Sequence, residues 1–121
     1  MQIEFEVQGK VKAKQSVKFA NMGGFMKKYP EWNVNNFKDK QLTCEIDIDI
    51  LIPKSFSKKK QDLAAGGFIR PTVKPDCDNI AKNIDDAMNG IVFPDDKQIV
   101  TLVIRKWYSN SEKVKITVSE I

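Results

Sequence analysis

The chain has 121 residues, which is enough for one hydrophobic core and too few for two, so residues 1–121 read as a single domain. Hydrophobic residues make up 41% and charged residues 30%, which excludes a disordered chain, and no apolar run approaches the roughly 18 residues of a membrane span. The net charge is +4 and there is no histidine, which excludes a Ser-His-Asp triad, a Cys-His pair and any His-ligated metal.

At the N-terminus, Ile3, Phe5 and Val7 alternate with Glu4 and Glu6, the pattern of a half-buried strand. This opening lacks the basic-then-apolar layout of a signal peptide, so a cytoplasmic protein is expected. Residues 9–39 show no clear period. They contain Gly23-Gly24, Pro30 and several asparagines, and read as a long irregular excursion with a short helix near Phe25 to Tyr29. Cys44, Ile46, Ile48, Ile50 and Ile52 then alternate with Glu45, Asp47, Asp49 and Leu51, a strand closed by Pro53. Cys44 and Cys77 have no C-x-x-C spacing, so neither a zinc site nor a disulfide framework is suggested.

Ser55 is placed to cap a short helix running to about Ala65 and ended by Gly66-Gly67. From Asn79 to Asn89 the period is helical at about 100° per residue. Ile80, Ile84, Ala87, Met88 and Ile91 share one face, and Asp78, Lys82, Asp85, Asp86 and Asn89 share the other, with Gly90 as the stop. Pro94-Asp95-Asp96 reads as a turn. A strand follows from about Gln98 to Tyr108, then a turn around Asn110, then a strand carrying Val114, Ile116 and Val118. The order is strand, loop, strand, helix, helix, strand, strand. It predicts an α+β domain with a mixed or antiparallel sheet packed by two or three helices.

Charge is segregated along the chain. Six lysines and no acid lie between Lys10 and Lys28, and six basic residues face one acid between Pro53 and Lys74. From Pro75 to Val100 the balance reverses, with six aspartates against Lys82 and Lys97. An acidic cluster between basic segments suits a cation held against an anionic substrate, which points to nuclease chemistry. Asp76 and Asp78, at i and i+2 on an extended segment, would point to one side. One helix and a turn would return Asp96 to Asp76, completing an all-oxygen site of the kind Mg²⁺ or Mn²⁺ prefers. Taken singly, Asp78 reads as a helix cap and Asp95-Asp96 as a turn. Lys82 lies one helical turn past Asp78, so its ammonium falls near the pair. Trp32, Trp107 and Phe68 have the chemistry to stack on bases, although aromatic residues at such positions more often belong to a core. No G-x-x-x-x-G-K motif is present, which speaks against an NTPase.

Lys-Pro-Asp-Cys-Asp-Asn-Ile-Ala-Lys (Lys74 to Lys82), followed by Asp-Ala-Met-Asn-Gly-Ile-Val-Phe-Pro-Asp-Asp-Lys-Gln-Ile-Val (Asp86 to Val100), resembles the RusA family of Holliday-junction resolvases of phages and prophages. The basic stretch Pro53 to Lys60 resembles that family's basic helix, and the likeness covers about Ile50 to Ile104. It implies a small α/β homodimer that nicks opposed strands of four-way junction DNA with aspartate-bound Mg²⁺ or Mn²⁺. Carried over by motif, it places the metal ligands at Asp76, Asp78 and Asp96, the essential lysine at Lys82, and a supporting residue at Asp95. Lys58, Lys59, Lys60, Arg70 and Lys74 would hold the DNA backbone. Lys12 to Phe19 depart from the arginine- and proline-rich stretch of many relatives, and lysine lacks the bidentate phosphate geometry of arginine. Two further readings are a junction-binding protein that has lost activity and a related metal nuclease acting on forks or flaps.

Overall fold

The computed structural model describes residues 1–9 and 29–121. The expected helix near Phe25, the Gly23-Gly24 pair and the lysines from Lys10 to Lys28 lie outside those residues. Four strands, β1 (Gln2–Gln8), β2 (Leu42–Leu51), β3 (Ile99–Ser109) and β4 (Lys113–Glu120), form one mixed sheet in the order β1-β4-β2-β3. β4 runs antiparallel to both β1 and β2, whereas β2 and β3 are parallel. The parallel pair needs a long crossover, and residues 52–98 supply it with two helices, α1 (Lys58–Ala65) and α2 (Cys77–Met88).

The alternation seen in the sequence decides which face of the sheet is dry. Ile3, Phe5, Val7, Cys44, Ile46, Ile48, Val114, Ile116 and Val118 are all buried on one face. There they meet Ile80, Ile84, Ala87 and Met88 of α2, so the helix lies across the sheet with its polar stripe turned away. Each large side chain taken fully out of water in this layer contributes roughly 1.5–3 kcal/mol. The opposite face carries a lattice of ion pairs: Arg105 with Asp47 (3.1 Å) and Glu45 (3.6 Å), and Lys115 with Glu4 (3.2 Å). These pairs are partly solvated, so they set strand register more than they add stability.

The aperiodic segment after residue 28 closes one end of the core. Phe37, in a 3₁₀ turn (Val34–Phe37), is fully buried, and Trp32 packs against it at 5.4 Å between ring centroids. The Trp32 indole donates to the Val92 carbonyl (3.0 Å) and the Tyr29 hydroxyl to the Glu4 carbonyl (2.6 Å). Trp32 is therefore a wall of the core and not a base-stacking surface.

Two helix starts differ from expectation. Ser57, not Ser55, caps α1, accepting a bond from the Lys60 N–H at 3.2 Å, because Pro53 to Phe56 are used in a turn closed by Phe56 N–H to the Pro53 carbonyl. α2 begins at Cys77, so Asp76 and not Asp78 occupies the cap position. Its carbonyl takes the first helical bond, from Ile80 N–H (3.0 Å), while its carboxylate makes no capping bond.

Candidate active site

The earlier start of α2 changes the geometry of the aspartate pair. Asp76 is extended, but Asp78 is already in the first helical turn, so the two do not share a side through strand alternation. Asp78 gains instead from the positive end of the helix. Both residues are exposed, and neither makes an ion pair or a side-chain hydrogen bond among the described residues. Beside the preceding residues, Lys74 and Pro75, a cleft of about 230 Å³ opens toward the end of β2. Asp49 lines the same cleft, and burial, partly offset by Lys113, holds its carboxyl above the usual range.

Along α2, Asp78, Lys82, Asp85 and Asn89 fall at steps of four, three and four residues and so form one stripe. Lys82 is exposed on it. Asp85 is not: its Oδ1 is buried and is the one such side-chain atom among the described residues without a hydrogen-bond partner. Burial, with the charges of Asp96 and Asp86, pushes the Asp85 carboxyl up to about 6. The same carboxylate acts on Cys44 beneath it. Burial first, then Asp85 and Glu45, raise the Cys44 thiol to about 12, which leaves it an inert core residue.

The Asp95-Asp96 turn is built to present Asp96. Asp95 caps a short 3₁₀ turn (Asp96–Gln98), its carboxylate accepting from the Lys97 N–H (3.0 Å), which holds that carboxyl below the usual range. Gln98 returns a bond to the Asp95 N–H (3.2 Å), and its amide ties the turn to the carbonyls of Phe37 (2.7 Å) and Lys40 (3.1 Å). The Asn89 side chain accepts from the Asp96 N–H (2.7 Å). Asp96 is thus held at the C-terminal end of α2, where its charge acts on Asp85.

The expected return of Asp96 to Asp76 is not made within one chain. Asn89 lies 13 residues beyond Asp76, about 20 Å along a helix axis. Among the described residues, no three Asp, Glu or Cys side chains gather closely enough to hold one ion. The structure brings together two groups, Asp76 with Asp78 at one end of α2 and Asp85 with Asp96 at the other, and Lys82 lies between them. Asp85 and Asn89 were not among the residues nominated from sequence, although both stand on the polar stripe that contains Asp78 and Lys82.

The proposed DNA-contacting residues sit on α1 and the loop after it. Lys58 is paired with Asp62 (3.1 Å), and the Lys60 ammonium lies 4.1 Å from the centroid of Phe56. Lys59 and Lys74 are exposed. The Arg70 guanidinium stacks on Trp107 at 3.9 Å and donates through Nε to the Lys106 carbonyl (2.9 Å). Trp107 in turn donates to Asp47 (2.9 Å), and the Lys106 ammonium bonds the Val73 carbonyl. This loop is therefore fastened along the edge of β3.

The family model described as Endodeoxyribonuclease RusA matches residues 5–119. The chain belongs to the RusA family. This match runs from β1 through β4, well beyond the half of the chain that carries the motifs. Uncharacterized protein YqaN of Bacillus subtilis (strain 168) is 38% identical over 86 residues, covering 66% of this chain and 61% of the relative. The chain thus spans about 61% of the length of that relative. Membership agrees with the mixed four-stranded sheet and two helices observed. No helix among the described residues is long and apolar enough to cross a membrane.

Proposed function

We propose that this protein is a structure-selective endodeoxyribonuclease that resolves four-way DNA junctions by paired, divalent-metal-dependent hydrolysis of phosphodiester bonds. The observation that supports the reading best is the polar stripe of α2 in a chain of the RusA family. Among the described residues its carboxylates at the helix start are unpaired, a lysine follows one turn later, and Asp85, on which the charge of Asp96 acts, carries a buried oxygen without a partner. Such an all-oxygen donor set fits Mg²⁺ or Mn²⁺, and the buried Asp85 oxygen is the kind of group a cation would satisfy. Asp76, Asp78 and Asp96 would hold the ion. When bound, it supplies Lewis acidity at the phosphate and a nucleophile at neutral pH.

Because Asp96 and Asp76 lie a helix length apart in one chain, we infer that the set closes between two chains. Two copies of α2 packed antiparallel about a two-fold axis bring the Asp76 end of one beside the Asp96 end of the other, twice per dimer. Two such sites match the two opposed strands that a junction presents. Lys82, between the groups, donates to a phosphate oxygen as charge builds in the transition state. Asp95 keeps Asp96 in place through the capped turn. Lys58, Lys59, Lys60, Arg70 and Lys74 attract and hold the phosphate backbones.

Labelled four-way junction, fork and linear duplex, each with Mg²⁺, Mn²⁺ or chelator, test the activity. Paired cuts in the junction that disappear with chelator are expected. A wild-type protein that leaves all three substrates intact refutes the nuclease reading, and preferential cutting of forks refutes the junction assignment. Mixing tests the shared site. Asp76→Asn and Asp96→Asn are each expected to be inactive. A mixed dimer of the two retains one intact site if the carboxylates meet between chains, and so makes single nicks without paired cuts. A mixed dimer with no nicking activity refutes the shared site.

A further inference from the structure

Of the three aromatic side chains singled out in the sequence as able to stack on bases, two are engaged elsewhere, Trp32 in the core wall and Trp107 under Arg70. Phe68 is not. It is 82% exposed, more than any other large hydrophobic residue described, and the next, Ile121, is the terminal residue at 73%. Exposure alone would be an ordinary surface accident, but this ring is displayed on a fastened backbone. The Phe68 and Ile69 N–H groups both bond the Leu63 carbonyl at the end of α1, at 3.0 and 3.3 Å.

Two glycines make that display possible. Gly67 takes φ +81°, which side chains other than glycine rarely adopt, and a Cβ there would lie 3.5 Å from the Trp107 ring. A Cβ on Gly66 would come within 3.0 Å of two carbons of the Phe68 ring, so the ring rests against the glycine and its remaining surface faces out. One cation lies close in the chain: Arg70, two residues on, is stacked on the same Trp107 that a Cβ on Gly67 would approach, while the lysines of α1 stand in its first turn, at the other end of the helix. A flat, pre-positioned apolar ring on a loop that also fixes an arginine suits a nucleic-acid base better than a protein surface, which would need a wider apolar patch. In continuous duplex both faces of every base are already stacked. A free face arises where stacking is interrupted, at a branch point.

We propose that Phe68 stacks on a base exposed at the branch point of the DNA and is the residue that distinguishes branched from linear DNA. The inference rests on the junction-cleaving function proposed above. The experiment uses the full-length protein, a synthetic four-way junction with 2-aminopurine at the branch point or within one arm, and a linear duplex of the same length. Wild type is expected to change the fluorescence of the branch-point probe and not of the arm probe. Phe68→Ala should lose that change and bind the junction about tenfold or more weakly, with duplex affinity unchanged. Phe68→Trp should restore both, which also answers any concern over folding of the alanine variant.

A wild type that prefers and cuts junctions, with Phe68→Ala equal to it in affinity and probe signal, overturns this inference and leaves the proposed function standing. Equal loss on junction and duplex overturns it as well, as does a Phe68→Ala protein whose mass by light scattering falls from dimer to monomer, since the ring would then serve a protein contact. A wild type with no preference for branched DNA overturns the function and this inference together.

Discussion

Replacing Asp85 by Asn should make the protein more stable at neutral pH, although the substitution removes a charge beside the candidate catalytic groups. In the folded chain, the Asp85 carboxyl is pushed from 3.8 up to about 6, first by burial and then by the nearby charges of Asp96 and Asp86. The raised value means that the folded state binds the proton more tightly than the unfolded one. The cost of the charge is therefore absent below about pH 4, grows as pH rises toward 6, and is complete above it. A rise of that size corresponds to about 3 kcal/mol if fully expressed. Asp85 is only partly covered, and water screens it, so about 1–2 kcal/mol is the expected gain. Asn has nearly the same shape and leaves the unpartnered Oδ1 position neutral. Urea unfolding of wild type and Asp85→Asn, with chelator, at several pH values from 4 to 7.5 measures the difference. The gap should open between pH 4 and 6.5 and then level off. An Asn variant equal to or less stable than wild type at pH 7, or a gain of the same size at pH 4, refutes the reasoning.

Lys82→Ala should lower junction cleavage by about 10²–10³ with little change in affinity, as for loss of one contact to the transition state, and wild-type rates in single-turnover assays would reduce Lys82 to a helix-surface residue. Asp76→Asn and Asp78→Asn should each abolish cutting while junction binding survives or improves, because clustered carboxylates repel phosphate in the absence of metal; a gel-shift titration beside a cleavage assay checks both. Asn89→Ala should release the Asp96 N–H from its 2.7 Å bond, cost about 1 kcal/mol in stability by urea unfolding, and reduce cleavage through a misplaced Asp96, with Asn89→Asp preserving the acceptor and the activity. Junction affinity should fall by about 10³ or more between 50 and 200 mM salt if 6–10 phosphates are engaged, and a flat titration would return the lysines to ordinary surface charge.

How much of this was legible beforehand depended on whether a signal was local. The strands around Phe5, Ile46 and Ile116 and the buried stripe of α2 could be read because side-chain periodicity is set by backbone geometry a few residues away. Gly66-Gly67 and Gly90 marked helix ends for the same reason, as their positive φ values at Gly67 and Gly90 bear out. Cap positions were less certain. Ser55 and Ser57 are equivalent as sequence, and the turn from Pro53 to Phe56 decided between them. Asp76 and Asp78 were likewise interchangeable until the helix start was known.

The sequence alone, then, determined the element order, the dry face of each element, the motif that marks the family, and the absence of any histidine-based chemistry. Tertiary structure decided that β3 pairs in parallel with β2, that Phe37 leaves an aperiodic segment to enter the core, and that Phe68 stays outside it. It also decided that Asp96 is held at the Asn89 end of α2 and not at the Asp76 end. These outcomes depend on contacts between residues far apart in the chain, and a local pattern carries no information about which distant partner will satisfy a buried group.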